Sequence, residues 1–238
     1  MSISGVILAA GQGTRMKSSL PKVLHKVLGI PMIDYAQEAI SHFDSKYVVV
    51  GHQSEKVSST IFETFIPVVQ KEQLGTGHAI STLLESSEFE SDNSQYLVVI
   101  PGDVPLIRKD ELDKLVNDVT ENKAAIGLIS AKVKNPFGYG RIVKNNEEFE
   151  KIIEESDASE TEKLINEINS GIYCIDINFL NSNIGSLESS NNQKEFYLTD
   201  LINIAFQNNL ERVIVQVNED SIQGINSMSQ LNDVENTL

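Results

Sequence analysis

Short apolar runs of strand length alternate with amphipathic stretches through the first half of the chain. Residues 5–10 (GVILAA), 47–50 (YVVV), 66–69 (IPVV) and 96–100 (YLVVI) are continuously apolar, the pattern of parallel strands covered on both faces. Between them, residues 32–43, 54–65 and 76–84 have helical spacing and length. Strand, helix and strand repeated in this way predict an α/β fold: a Rossmann-like, mostly parallel sheet flanked by helices. In such sheets ligands sit beyond the carboxyl ends of the strands, where segments 11–22 and 101–105 fall.

The second half is less regular. Residues 124–133 and 139–143 read as strands joined through the turn-rich NPFGYG, with 149–153 as a hairpin arm. A further strand is expected at 169–175, a helix at 197–207 and a last strand at 212–217. The polar stretches 157–163 and 186–194 read as surface loops or helix ends, too short to link domains. A single domain over residues 1–238 is the expectation, with no internal repeat.

Charge sharpens the picture. The chain carries 34 Asp and Glu against 19 Lys and Arg, a formal net charge of -15, which argues against binding nucleic acid or an anionic membrane surface. Yet the first acid is Asp34, so the opening segment holds Arg15, Lys17, Lys22 and Lys26 with no negative charge. A small polyanion is the ligand to expect there. No apolar run reaches the roughly 18 residues of a membrane span, and the N-terminus lacks a basic signal region, so a soluble cytoplasmic protein is expected. The single cysteine, Cys174, lies in the run GIYCIDI and reads as a buried strand residue.

The stretch LAAGQGTRM, with Leu8, Ala9, Ala10, Gly11 and Gly13, ends a strand and opens a glycine-rich loop. Such a loop brings backbone N–H groups close to phosphate. Arg15 offers bidentate donors and Lys22 a mobile point charge. There is neither a Walker ending nor a third dinucleotide-type glycine, and a tight turn with solvated basic side chains is the bland alternative. Asp103, just beyond YLVVI in PGDVP, suits a metal ligand projecting into the same crevice, or else a turn or capping residue.

These motifs resemble the sugar-nucleotide pyrophosphorylases, most closely those that uridylylate N-acetylglucosamine 1-phosphate. The resemblance runs in order through LAAGQGTRM, PKVLHKVLG, QKEQLGTGHA, GDVPLI, NPFGYGRI, EINSGIY, EFYLTD and GIN, nearly the whole chain. It implies nucleotidyl transfer from UTP to N-acetylglucosamine 1-phosphate, with Mg²⁺ held by Asp103 and Asn226. It further implies nucleotide contacts from Ala10, Gly13, Gln70, Gly75 and Thr76, in a nucleotide-binding half of about residues 1–120. A sugar-binding lobe of added strands, about 121–226, would use Gly140, Glu154, Asn169 and Thr199, with Asp103 close to the sugar side. Tyr139 and Tyr197 are pocket walls or ordinary core residues. Glu154 is a sugar ligand or one charge of an acidic run, and His78 reads as a surface or packing histidine.

Two departures stand out. Ser156 occupies a place where the family carries lysine, and Pro101 a place where it carries tyrosine. The bifunctional members also continue into hexapeptide repeats that acetylate the sugar. None occurs here, so acetylation is not expected of these residues; a piece of a longer protein, a single-function protein and a paralogue acting on another sugar all stay open, with a separate acetyltransferase as a candidate partner. Two alternatives stay open: a related nucleotidyltransferase with another base or acceptor, and a non-catalytic nucleotide-binding module.

Overall fold

In the computed structural model, which describes residues 1–146 and 148–237, each apolar run of the first half becomes a strand. Glu147 and Leu238, both within the expected domain, lie outside the described residues. β1 (Ile3–Ala9) leads through a long loop to a small ribbon, β2 (Lys26–Val27) and β3 (Ile30–Pro31). β4 (Ser45–Val50), β5 (Ile66–Val69) and β6 (Tyr96–Pro101) follow. β1 pairs in parallel with both β4 and β6, and β4 with β5. The second half supplies β7 (Ile126–Lys132), β8 (Arg141–Asn145), β9 (Glu148–Ile153), β10 (Glu167–Asp176) and β11 (Arg212–Gln216). The sheet runs β11-β7-β10-β6-β1-β4-β5. Only β10, antiparallel to both β6 and β7, breaks its parallel sense along that path. β8 pairs with β10 and, as the expected hairpin, with β9.

Period-two alternation distributes the strand residues between two cores. Ile7, Val48, Val98 and Ile100 face one side, Val6, Val49, Leu97 and Val99 the other. α1 (Met32–Ala39) and α4 (Lys109–Glu121) cover the first face through Ile33, Ala36, Leu112, Leu115 and Val119. α3 (Thr76–Leu84), α5 (Ile177–Asn183) and α6 (Asp200–Gln207) cover the second through Ile80, Leu83, Leu180, Leu201 and Ile202. Each buried Ile, Leu or Val among them contributes roughly 1.5–3 kcal/mol by leaving water. α2 (Ser54–Ser58) and the C-terminal α7 (Met228–Thr237) complete the set. None of the described helices is long and apolar enough to cross a membrane.

The differences from expectation have local causes. The helix expected at 32–43 ends at Ala39, yet Ile40 and Phe43 remain buried, so their apolar spacing reports the core and not helix. The helix expected at 54–65 stops at Ser58, where the Ser59 and Thr60 hydroxyls bond back to the Lys56 and Val57 carbonyls and compete with the helical ladder. The helix expected from 197 begins at Asp200 because the preceding chain is tied to α3: Phe196 N–H donates to Leu74 O and Leu198 N–H to Thr76 Oγ1. α4 was not foreseen. Its apolar stripe is interleaved with charges, and buried Glu111 is satisfied by Arg108 N–H and the Ser221 hydroxyl. Cys174 is fully buried in β10, and burial pushes its thiol well above the usual range.

α4 reaches the sheet closely only because β7 carries Gly127: a Cβ there would lie 2.3 Å from Val119 Cγ2. Gly127→Ala is expected to cost about 1–3 kcal/mol through overpacking. Thermal unfolding should show a fall of about 2–4 °C for each kcal/mol; an unchanged midpoint would mean that α4 yields freely.

Candidate active site

The loop after β1 is built to hold two cations in place. Gly13 adopts a left-handed φ of 61°, and a Cβ there would sit 2.6 Å from Lys22 Cβ, so the loop closes on Lys22 only with glycine. The short turn Thr14–Met16 is pinned by buried Met16, which packs with Val27, Met32, Ile225 and Leu231. The turn Lys22–Leu24 is pinned by buried Val23 and Leu24. With these apolar residues inward, Arg15 and Lys22 project the other way.

Their partners arrive from distant segments. Gly102 N–H donates to Leu8 O at 3.0 Å, setting the loop after β6 beside that after β1. Ile225 N–H donates to Asp103 O at 2.9 Å, bringing in Asn226. The Lys22 ammonium bonds Asp103 Oδ2 and, at 2.6 Å, Asn226 Oδ1; Arg15 donates to the same Asn226 oxygen at 2.9 Å. One carboxylate and one amide oxygen therefore already converge on a cation. Among the described residues, no group of three or more His, Cys, Asp or Glu forms a metal cluster.

Beside this cluster opens a cavity of about 420 Å³. One end is lined by Leu8, Ala10 and Gly11 from the β1 terminus with Gln70, Gly75 and Thr76 before and at the start of α3. The Gln70 amide nitrogen lies 2.9 Å from His78 Nδ1 and 3.4 Å from Gly75 O; His78 thus packs behind a cavity residue. The other end is lined by Tyr139, Gly140, Glu154, Asn169 and Thr199. Asn169 is held at a bulge in β10, donating to Tyr173 Oη at 2.6 Å and accepting from Gly171 N–H at 3.0 Å. Tyr139 lines the cavity, and its hydroxyl lies within electrostatic reach of the Gly224 backbone, Asp103 and Arg15. Burial, aided by the Asp103 charge, raises that hydroxyl above its usual range.

Besides Gly13, Arg15, Lys22, Asp103 and Asn226, which form the loop and cation cluster and do not themselves line this cavity, two expected residues stand apart from it. The Ala9 side chain lies in the core under the sheet, on the opposite face from Ala10. Tyr197 bonds Gln193 Oε1 at 2.6 Å and faces a smaller neighbouring cavity with Asp157 and Asp200. Pro101 lines the main cavity, where a Cβ on Gly171 would meet its ring at 3.1 Å, whereas exposed Ser156 turns to Asp157. Tyr173 and Glu195 also line it and were not singled out, although both fall in quoted motifs. Their alternation with core neighbours conceals which face they occupy.

Glu154 is packed in protein except toward the cavities. Burial pushes its carboxyl up to about 7, with Asp157, Asp200 and Glu195 adding to the rise. The Thr199 hydroxyl partly offsets this but has no hydrogen bond of good geometry.

The chain matches the family model of the MobA-like NTP transferase domain over residues 5–164. It is 41% identical to the bifunctional protein GlmU of Alkaliphilus metalliredigens over 244 residues, covering 100% of this chain and 52% of that protein. Against the bifunctional protein GlmU of Clostridium novyi it is 40% identical, covering 99% and 52%. The chain thus spans about half the length of the curated relatives it matches. A solved UDP-glucose pyrophosphorylase complexed with UDP-glucose superposes with a TM-score of 0.78 at 17% identity, covering 100% of this chain and 98% of that one. That likeness bears on the fold.

A carboxyl whose value is raised in the folded chain contributes its full stability below its unfolded value, and that stability falls as pH rises through about 7. Glu154→Gln removes this loss. The melting temperature of the variant relative to the parent should therefore be higher at pH 8 than at pH 5, by about 3 °C or more. An equal difference at both pH values would show that burial does not hold Glu154 neutral.

Proposed function

This chain belongs to the family of MobA-like NTP transferase domains, and we propose that it transfers the uridylyl group of UTP to N-acetylglucosamine 1-phosphate with Mg²⁺, giving UDP-N-acetylglucosamine and pyrophosphate. The observation that carries the proposal is the convergence of Arg15, Lys22, Asp103 and Asn226 at the side of the cavity. Whole-chain likeness to the two GlmU proteins supports the choice of substrates.

The acceptor phosphate is an anion at neutral pH, so no side chain need remove a proton from it. An acceptor oxygen attacks the α-phosphorus, the bond to the β-phosphate bridge breaks, and pyrophosphate leaves with the electron pair. The protein's task is to align two anions and offset their charge. Arg15 and Lys22 carry that positive charge, while the Gly11–Gly13 backbone approaches the phosphates. Asp103 and Asn226 are the residues that would hold Mg²⁺, and their hard oxygens suit an ion that takes few protein ligands and completes its octahedron with water and phosphate. When bound, the ion supplies further charge against the phosphates.

In this reading residues up to about 120 hold the nucleotide, with Gln70 meeting the base edge and Leu8, Ala10, Gly75 and Thr76 giving contact through backbone and wall. Residues of about 121–226 hold the acceptor, with Glu154, Asn169, Thr199 and the Gly140 backbone meeting the sugar hydroxyls and amide and Tyr139 forming a wall. Ala9 would act through its backbone, and Tyr197 by backing Glu154. In this reading acetylation of the sugar falls to another protein or segment, and the reaction runs in the cytoplasm.

Pyrophosphate release tests the proposal. It is expected with UTP and N-acetylglucosamine 1-phosphate, and not with CTP, GTP, ATP or dTTP, nor with glucose or glucosamine 1-phosphate. Release with another pair alone would replace the substrates, and release with none would favour a binding module. Asp103→Asn should abolish turnover and metal dependence without lowering the melting temperature. Arg15→Ala and Lys22→Ala should each cost about 10²-fold in kcat, and a change below about threefold would return that residue to the solvated surface.

A further inference from the structure

Arg141 is the largest fully buried side chain, with the residue only 1% exposed. Its guanidinium donates to Glu155 Oε2 at 2.6 Å and to the Tyr139 carbonyl, while its Nε has no partner. Glu155 Oε2 also accepts the Gly138 N–H at 3.0 Å. The pair thus grips the peptide units on either side of the Gly138–Tyr139 peptide, through the Gly138 N–H and the Tyr139 C=O, in a segment 138–140 whose three residues all line the main cavity. A buried ion pair is weak evidence for stability, since apolar residues of similar volume often serve as well. A role in placement accounts better for keeping this charge inside.

The gripped segment has neighbours on both sides. A Cβ on Gly140 would lie 3.2 Å and 3.3 Å from the two Glu154 carboxylate oxygens, and Gly140 O accepts the Asn169 N–H at 2.9 Å. At the other end, a Cβ on Gly138 would stand 4.0 Å from Arg15 Nη1. Glu155 is itself the neighbour of Glu154 in sequence. Burial works to raise the Glu155 carboxyl, but the Gly138 N–H and Arg141 outweigh it and hold it below the usual range, so the acceptor of the grip stays charged.

We propose that Arg141 and Glu155 are a pair of positioning residues that hold segment 138–140 as the wall registering the acceptor sugar phosphate against Arg15. This rests on the reading of the cavity as a nucleotidyl transfer site. Neither side chain lines the cavity; both act through the backbone they hold. The grip on the Gly138 N–H and the Tyr139 C=O adds to the Asn169–Gly140 and Tyr139–Pro136 backbone bonds in setting where Tyr139 and Gly140 stand. The side-chain hydrogen bonds of the pair go to Gly138, Tyr139 and each other, and not to Gln70, Gly75 or Thr76, so the nucleotide side is expected to keep its affinity.

The test uses the full chain with Glu155→Gln, Arg141→Met and the double variant, measuring KM and kcat for each substrate and amide hydrogen exchange of residues 136–140. Each single variant is expected to raise the KM for N-acetylglucosamine 1-phosphate about tenfold or more, leaving the KM for UTP within about twofold. The double variant should be no worse than Arg141→Met, because the two residues act as a unit. Exchange at Gly138 and Tyr139 should quicken in Glu155→Gln, the milder change since Glu155 keeps 24% side-chain exposure. Equal rises in both KM values, additive losses, or a lowered melting temperature with the acceptor KM unchanged would overturn the proposal. If the parent transfers no nucleotide to any acceptor, the functional reading fails by itself, and unchanged exchange at 138 and 139 would then independently sink the grip.

Discussion

The parallel alignment of β1, β4, β5 and β6 is the constraint on which the rest of the molecule depends. Strands running one way must all release their following loops at one edge. The glycine-rich loop, the Gln70–Thr76 turn and the Asp103 loop therefore emerge side by side, though more than 80 residues separate the first from the last: Lys22 and Asp103 are 81 apart. The reversed strand β10 obeys the same constraint. Being antiparallel to β6, with Tyr173 opposite Val99, it presents its beginning where β6 ends, which delivers Asn169 to that edge.

Electrostatics gives this edge a direction. At one side Arg15 and Lys22 meet Asp103 and Asn226, and at the other the Glu154 carboxyl is raised by burial and by the charges of Asp157, Asp200 and Glu195. A ligand with phosphate at one end and hydrogen-bond donors at the other complements that polarity. Against a net charge of -15, the cationic side stands out as the place for a small anion, since the rest of the chain is on balance acidic. The apolar anchors Met16, Val23 and Leu24 matter as much as the charges, because they decide which way the two basic side chains point.

Legibility followed the physics of each segment. Continuous apolar runs were read correctly as strands, because a strand buried on both faces admits little else. The helix at 76–84 was read to the residue, but α4 was missed because charged neighbours interrupt its buried stripe of Leu112, Leu115, Val116 and Val119. The helices at 32–43 and 54–65 were read too long, the first because its apolar period continues into turns that are still core, the second because serine and threonine hydroxyls near Ser58 draw the backbone out of the ladder. At the cavity, the family resemblance marked Gln70, Gly75, Glu154 and Asn169, yet passed over Tyr173 and Glu195. It left Tyr197 open between pocket wall and core, and the structure buries it with its hydroxyl held by Gln193.

The amino-acid sequence alone determined the fold class, the existence of a basic loop in an acidic chain and the family that the chain resembles, because periodicity, charge count and ordered motifs are properties of local neighbours. Only the tertiary structure decided that Lys22, Asp103 and Asn226 share one hydrogen-bonded cluster, that Ala9 turns into the core while Ala10 faces the cavity, and that Arg141 is buried against Glu155. Those facts depend on which strands pair and in which register. Register is set by the summed burial of both sheet faces, a quantity to which every element contributes and which no single stretch of sequence contains.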